Sequence, residues 1–207
     1  SLPLSFPRSS LSFPRKRESI NIKKAAQVLK SGGVIIFPTD TVYGIGCRLD
    51  DQKAVDRIYQ IKGTEKSQPF PILVSSIKQV RELANISDVA KDLMEKFWPG
   101  GLTIILPVRH PELVSGSDQK IGFRMPASAL VRNLIAKVGV PIIGTSANIH
   151  GKDAVKSSRD LDPELTSQVD YVLIGECKGG VESTVVDTMV NPPKIVRQGA
   201  VRLPLSS

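Results

Sequence analysis

The chain has 207 residues, is 41% hydrophobic and 23% charged, and carries a net charge of +8. These are ordinary proportions for one globular domain large enough to bury a core without disulfide or metal staples. No purely aliphatic or aromatic run exceeds the four residues of Val34–Phe37, far short of the roughly 20 residues of a membrane-spanning helix. Cys47 and Cys177 lie too far apart for a CxxC metal or redox site, and two reduced thiols of a cytoplasmic protein are expected. The basic character is uneven. Residues 1–24 hold six Lys and Arg against Glu18 alone, a balance of +5, leaving +3 for the rest. The overall charge therefore reports the first residues more than a nucleic-acid-binding body.

Residues 1–19 are rich in Ser, Pro and Arg, and LSFPR occurs twice. Prolines 3, 7 and 14 oppose a helix, and no apolar stretch suggests a secretory signal. A disordered extension is expected over 1–19, followed by one domain over 20–207.

From Asn21, a potential cap, Ile22, Ala25, Ala26 and Leu29 mark a helix closed by Gly32-Gly33. Val34–Phe37 reads as a buried strand and Thr39–Gly46 as a polar, glycine-bearing loop. Ala54, Val55, Ile58 and Tyr59 form a helical face ending at Lys62-Gly63, and Pro71–Val74 reads as a strand. Ser87 caps a helix through Phe97, stopped by Pro99-Gly100-Gly101. Leu102–Leu106 is a strand, 107–119 a polar loop and Ile121–Met125 another strand. Leu130, Leu134, Ile135 and Val138 give a helix, and Val140–Ile143 a strand running into Thr145–Asn148. One weak helix is expected within 152–168, then strands at Tyr171–Ile174, Thr184–Val186 and Lys194–Val196. Helices and short strands alternate until late in the chain, which predicts an α/β fold with a mixed sheet.

Standard catalytic signatures fail. There is no Walker loop, no H-E-x-x-H and no G-x-S-x-G. His110 and His150 read as loop residues. What remains is a set of small polar clusters at strand and helix ends: Thr39–Gly46, Lys62–Lys66, Arg124–Pro126, Thr145–Asn148, Glu182–Thr184 and Arg197–Gly199. Each is explicable alone as a turn or a surface ion pair. Together they bring cations and hydroxyls to strand edges, where α/β sheets hold ligands. An anionic small molecule suits them, such as a nucleotide with an amino acid, and a covalent nucleophile does not.

Seven ordered pieces then carry a resemblance: SGGVIIFPTDTVYGIG at 31–46, IYQIKG at 58–63, FWPGGLTIIL at 97–106, GFRMP at 122–126, GVPIIGTSAN at 139–148, GVESTVVD at 180–187 and IVRQGA at 195–200. The chain resembles the YrdC-type threonylcarbamoyl-AMP synthases in their short, single-domain form. The resemblance implies a twisted mixed β-sheet flanked by helices, with a concave, positively charged ligand-binding face. It implies a nucleotidyltransferase, L-threonylcarbamoyladenylate synthase, that converts L-threonine, bicarbonate or CO2, and ATP with Mg2+ into threonylcarbamoyl-AMP and pyrophosphate. The product serves N6-threonylcarbamoyladenosine formation in tRNA by a separate transferase complex. By the same resemblance Lys62 and Arg124 are the catalytic residues. Thr41, Arg124 and Ser183 hold threonine, and Lys62, Ser146, Asn148 and Arg197 the nucleotide, with Thr145 and Ala147 contributing backbone groups. No protein metal ligands are expected. One departure stands out: the family carries an arginine two residues after the lysine, where this chain has Thr64. Thr64 and Lys66 are counted with the ATP residues, Lys66 as a substitute point charge, although Lys and Arg are not interchangeable at bidentate sites. Two alternatives are a double-stranded RNA or tRNA-binding module and a weakly active relative of the same fold.

Overall fold

A computed structural model describes residues 13–113 and 119–204. Its helices are α1 (Phe13–Lys30), α2 (Gln52–Lys62), α3 (Ile77–Leu83), α4 (Asp88–Phe97), α5 (Ala129–Val138) and α6 (Pro163–Thr166). The strands are β1 (Ile35–Phe37), β2 (Gly44–Arg48), β3 (Ile72–Leu73), β4 (Leu102–Pro107), β5 (Lys120–Arg124), β6 (Ile142–Ser146), β7 (Tyr171–Val172), β8 (Thr184–Asp187) and β9 (Lys194–Arg197). They form one sheet in the order β7-β1-β2-β6-β3-β5-β4-β8-β9. The pairs β1/β7, β3/β5 and β4/β8 are parallel and the others antiparallel. The mixed sheet expected from the sequence is thus present.

Strand alternation divides the core into two layers. Val34 and Ile36 belong to a large cluster with Ile58, Val80, Leu93 and Phe123, whereas Ile35 and Phe37 pack with α1 and α5 through Leu29, Val131, Leu134 and Ile135. Both faces of β1 are therefore covered, which is why its sequence is continuously apolar. Farther along the sheet, coverage is one-sided. Leu102, Ile104 and Leu106 of β4 join the large cluster, while Thr103 and Ile105 between them line an open cavity. The uncovered half of the sheet face that α1 and α5 occupy elsewhere thus becomes the concave face. Leu29, fully buried between the two helices, tests the closed half. Leu29→Ala is expected to lose about 2–5 kcal/mol, seen as a lower denaturant midpoint with an unchanged slope.

Several expectations are corrected. α1 begins at Phe13, not at Asn21, so residues 13–19 are helical rather than part of a disordered extension. Pro14 falls in the first turn, where the missing N–H has no helical partner to lose. Residues 1–12 lie outside the described residues. Gly44–Gly46, read as loop, is the start of a central strand. A Cβ on Gly46 would sit 2.2 Å from the Ile143 carbonyl oxygen, so glycine there permits close backbone approach rather than a turn. β6 runs through Thr145 and Ser146. α3 has no counterpart in the sequence reading: it spans 7 residues and buries Val80 alone, so it leaves no periodic apolar face, although Ser76 caps it through the Gln79 N–H. A short 3-10 turn occupies Pro111–Leu113 within the expected loop.

Candidate functional site

The cavity on the concave face has a volume of about 800 Å3. Much of its floor has no side chain: Gly44, Gly144 and Gly122 all line it. A Cβ on Gly144 would meet Leu73 at 2.4 Å, and one on Gly122 would meet Thr103 at 2.7 Å.

Arg124 ends β5 at one side of the floor and is 6% exposed. Its Nε donates to the Gly100 carbonyl at 3.0 Å, one terminal nitrogen to Thr41 Oγ1 at 2.9 Å and the other to Asp40 Oδ1 at 2.6 Å. Burial opposes its charge and lowers its pKa, while Asp40 supports the charge. A guanidinium has five N–H groups, so N–H capacity remains on both terminal nitrogens for an incoming carboxylate. Thr41 is itself fixed, its N–H donating to Thr39 Oγ1 at 3.1 Å, and Thr39 donates to the Val42 carbonyl at 2.6 Å. The Tyr43 hydroxyl is held by both the carbonyl and the N–H of Gly175, so this tyrosine is structural.

Lys62 is the last residue of α2 and is 6% exposed. The helix stops there because Gly63 adopts φ 64° and the Thr64 N–H reaches back to the Tyr59 carbonyl, a left-handed cap that needs glycine. The Lys62 ammonium donates to the Ser146 and Asn148 carbonyls and to Asn148 Oδ1, at 2.5, 2.8 and 2.9 Å. All three of its N–H groups are used on neutral oxygens. Burial pushes its pKa down to about 8, with Glu182 opposing. Ser146 Oγ donates to the same Asn148 Oδ1 at 2.6 Å, so Lys62, Ser146 and Asn148 form one constellation.

Ser183 and Arg197 form the far wall. Ser183 Oγ shares a hydrogen bond with Thr103 Oγ1 at 2.7 Å. Arg197 donates twice to the Ser183 carbonyl, at 3.1 and 2.9 Å, and pairs with Glu182 at 3.7 Å. Gly199 makes this wall possible: a Cβ there would lie 2.3 Å from the Glu182 carbonyl oxygen.

Eight of the residues singled out in the sequence line this one cavity: Thr41, Lys62, Thr64, Arg124, Ser146, Asn148, Ser183 and Arg197. Thr145 lines it too, within β6. Two do not behave as expected. Lys66 is turned away to pair with Asp56 at 2.8 Å and is 57% exposed, so it supplies no charge to the cavity. The Ala147 N–H is already spent on the Tyr43 carbonyl. Sequence reasoning missed His150 and Lys120, which both line the cavity. It also missed Asp40 as the partner of Arg124 and Asp187 as the partner of Lys120, at 3.0 Å. Among the described residues no group of three or more His, Cys, Asp or Glu could hold a metal ion.

Comparison with known proteins places this arrangement among relatives. The Sua5/YciO/YrdC family model, described as "Telomere recombination", matches residues 27–199. A threonylcarbamoyl-AMP synthase of Pyrococcus abyssi is 36% identical over 90% of this chain and 56% of its own length. The chain therefore spans little more than half of that relative. A putative threonylcarbamoyl-AMP synthase of Methanocaldococcus jannaschii is 36% identical over 86% of this chain and 87% of its own. Among solved structures, P. abyssi Sua5 complexed with L-threonine aligns with a TM-score of 0.82 at 36% identity, covering 86% of this chain and 54% of that one. Escherichia coli YciO aligns with a TM-score of 0.83 at 27% identity, covering 90% and 92%.

Proposed function

The chain belongs to the Sua5/YciO/YrdC family, and from that premise we propose that its concave site is an L-threonylcarbamoyladenylate synthase centre. The observation that carries the proposal is the pairing of two built clusters on one floor. Arg124 with Thr41 is a carboxylate seat, and Lys62 with Ser146 and Asn148 is a cationic, hydroxyl-bearing seat. A related protein's structure in complex with L-threonine supports giving the first seat to that amino acid.

The chemistry asks little of the protein beyond alignment and charge neutralisation. The neutral threonine amine attacks CO2 and loses a proton to give the carbamate. A carbamate oxygen then attacks the α-phosphorus of ATP, and the bond to pyrophosphate breaks. Arg124 opposes the threonine carboxylate, and the Thr41 hydroxyl, held by Thr39, fixes its orientation. Ser183 closes the threonine side. Lys62, Ser146, Asn148 and Arg197 hold the nucleotide. Lys62 must exchange at least one carbonyl for a phosphate oxygen, and a charge-assisted bond makes that exchange favourable. The glycines of the floor let the reactants approach the backbone. Mg2+ would arrive on the triphosphate and would neutralise phosphate charge; among the described residues lining the cavity, Glu182 is the carboxylate that could assist it. The product's consumer would be a tRNA-modifying transferase complex in the cytoplasm. Among the described residues no helix is long and apolar enough to cross a membrane.

Incubation with ATP, L-threonine and 13C-bicarbonate tests the proposal. Mass spectrometry is expected to find threonylcarbamoyl-AMP carrying one 13C, absent without threonine. Folded protein that gives no such species contradicts the assignment.

A further inference from the structure

The loop after α2 supplies no cation to the cavity: Thr64 lines it and Lys66 turns to Asp56. Four Lys and Arg side chains line the cavity: Lys62, Lys120, Arg124 and Arg197. Three are heavily committed. Lys62 uses its three N–H groups on carbonyl oxygens. Arg124 holds Asp40, Thr41 and Gly100, and Arg197 holds Ser183 and Glu182. Lys120 differs. Among the described residues its ammonium donates to Asp187 alone, at 3.0 Å, leaving further N–H groups for a ligand.

Sheet register fixes where that ammonium is rooted. Ile142, Leu73 and Arg124 form one row across β6, β3 and β5. β3 is parallel to β5 and antiparallel to β6. Four residues toward the start of β5 therefore lead the same way as four residues toward the end of β6. The first path ends at Lys120 and the second at Ser146. Both lie about 13 Å along the sheet from Arg124, and about 10 Å apart across it. Lys120 is thus rooted across the end of the cavity from the Lys62–Ser146–Asn148 cluster, opposite Arg124, while its ammonium is drawn over β4 to Asp187 on β8 and must swing from there to meet a ligand. An oxygen nucleophile held at the Arg124 end attacks the α-phosphorus in line, so the leaving pyrophosphate points to the opposite end.

We propose that Lys120 grips the outer phosphates of ATP, supplying from β5 the second cation that Thr64 does not supply. The proposal rests on the synthase reading and deepens it. Asp187 is the positioning residue: buried, and anchored by the Met189 N–H at 2.9 Å, it keeps the lysine stem against the sheet.

Calorimetric titration of the full chain with Mg-ATP, inorganic pyrophosphate and AMP separates the possibilities. Lys120→Met is expected to weaken ATP and pyrophosphate about tenfold or more and to leave AMP unchanged, while Lys120→Arg restores most of the loss. Because Lys120→Met leaves a buried carboxylate unpaired, Lys120→Met with Asp187→Asn is measured beside it, with thermal unfolding as the control. Unchanged pyrophosphate affinity in the folded double variant overturns the proposal. So does an equal loss for AMP, which would put the nucleoside at this end. Wild-type protein that binds AMP and ATP but yields no threonylcarbamoyl-AMP contradicts the synthase reading alone. Wild-type protein that binds neither ATP nor pyrophosphate contradicts both.

Discussion

Arg124→Lys is expected to raise the KM for threonine about 100-fold or more while leaving nucleotide binding largely intact. The guanidinium does two jobs at once. It holds Asp40 at 2.6 Å, Thr41 at 2.9 Å and the Gly100 carbonyl at 3.0 Å, and on the proposed reading its remaining N–H groups meet the ligand. A lysine has three donors on one point and cannot reach three protein acceptors and a carboxylate together. Arg124→Ala is a poorer probe, because Asp40 would lose its ion partner in a partly buried setting and about 3–5 kcal/mol of stability could go with it. Steady-state kinetics with threonine varied and ATP saturating, together with nucleotide titration, separates loss of the threonine seat from loss of fold. Loss of ATP binding equal to that of threonine would show that Arg124 serves the fold and not the ligand.

The second large effect concerns Lys62. Lys62→Met keeps the stem and removes the charge, and is expected to lower kcat/KM for ATP by about 100-fold or more. The wild-type protein carries a matching pH signature. Burial depresses the Lys62 pKa from 10.5 to about 8. The ammonium is present below that value and is lost as pH rises through it. At saturating threonine, kcat/KM for ATP should therefore fall above about pH 8, a limb that belongs to the free enzyme. The stability effect has the opposite sign. Between about 8 and 10.5 the unfolded chain binds a proton that the folded chain has released, so this residue's contribution to stability rises with pH across that window. Charged Lys62 is a cost to the fold at neutral pH. Lys62→Met removes that cost together with the donor to three oxygens, so it is expected to remain folded at pH 7 while losing activity. A kcat/KM profile that stays flat to pH 10 would contradict the role given to the buried ammonium.

Much of this site was legible in the sequence because its residues fall at the ends of recognisable apolar runs. Arg124 follows Ile121–Phe123, Ser146 and Asn148 follow Ile142-Ile143, and Lys62 precedes the glycine that ends an amphipathic helix. What failed to show was direction. Lys66 lies four positions from Lys62, but the left-handed turn at Gly63 carries the chain around so that Lys66 meets Asp56. Sequence proximity to a site lysine was no guide. Lys120 was hidden for the converse reason: it opens a strand read as beginning at Ile121, and it faces the cavity only through sharing parity with Gly122 and Arg124. Period-two alternation was the available signal. Asp187 shares parity with Ser183 and Val185 in the same way. The Asp40–Arg124 pair joins positions 84 residues apart, a contact that sheet order creates and local pattern does not contain. At the start of the chain, prolines and charge argued against structure, yet α1 takes in Pro14 at its first turn and buries Ile22, Ala25 and Leu29 farther on.

The most direct test of the account is pyrophosphate release from ATP in bicarbonate buffer with Mg2+, measured with and without L-threonine. Release that requires threonine, and that is lost in Lys62→Met, is the predicted result and would show that Thr64 is compatible with synthesis. Release that ignores threonine, or none above background from well-folded protein, would contradict it.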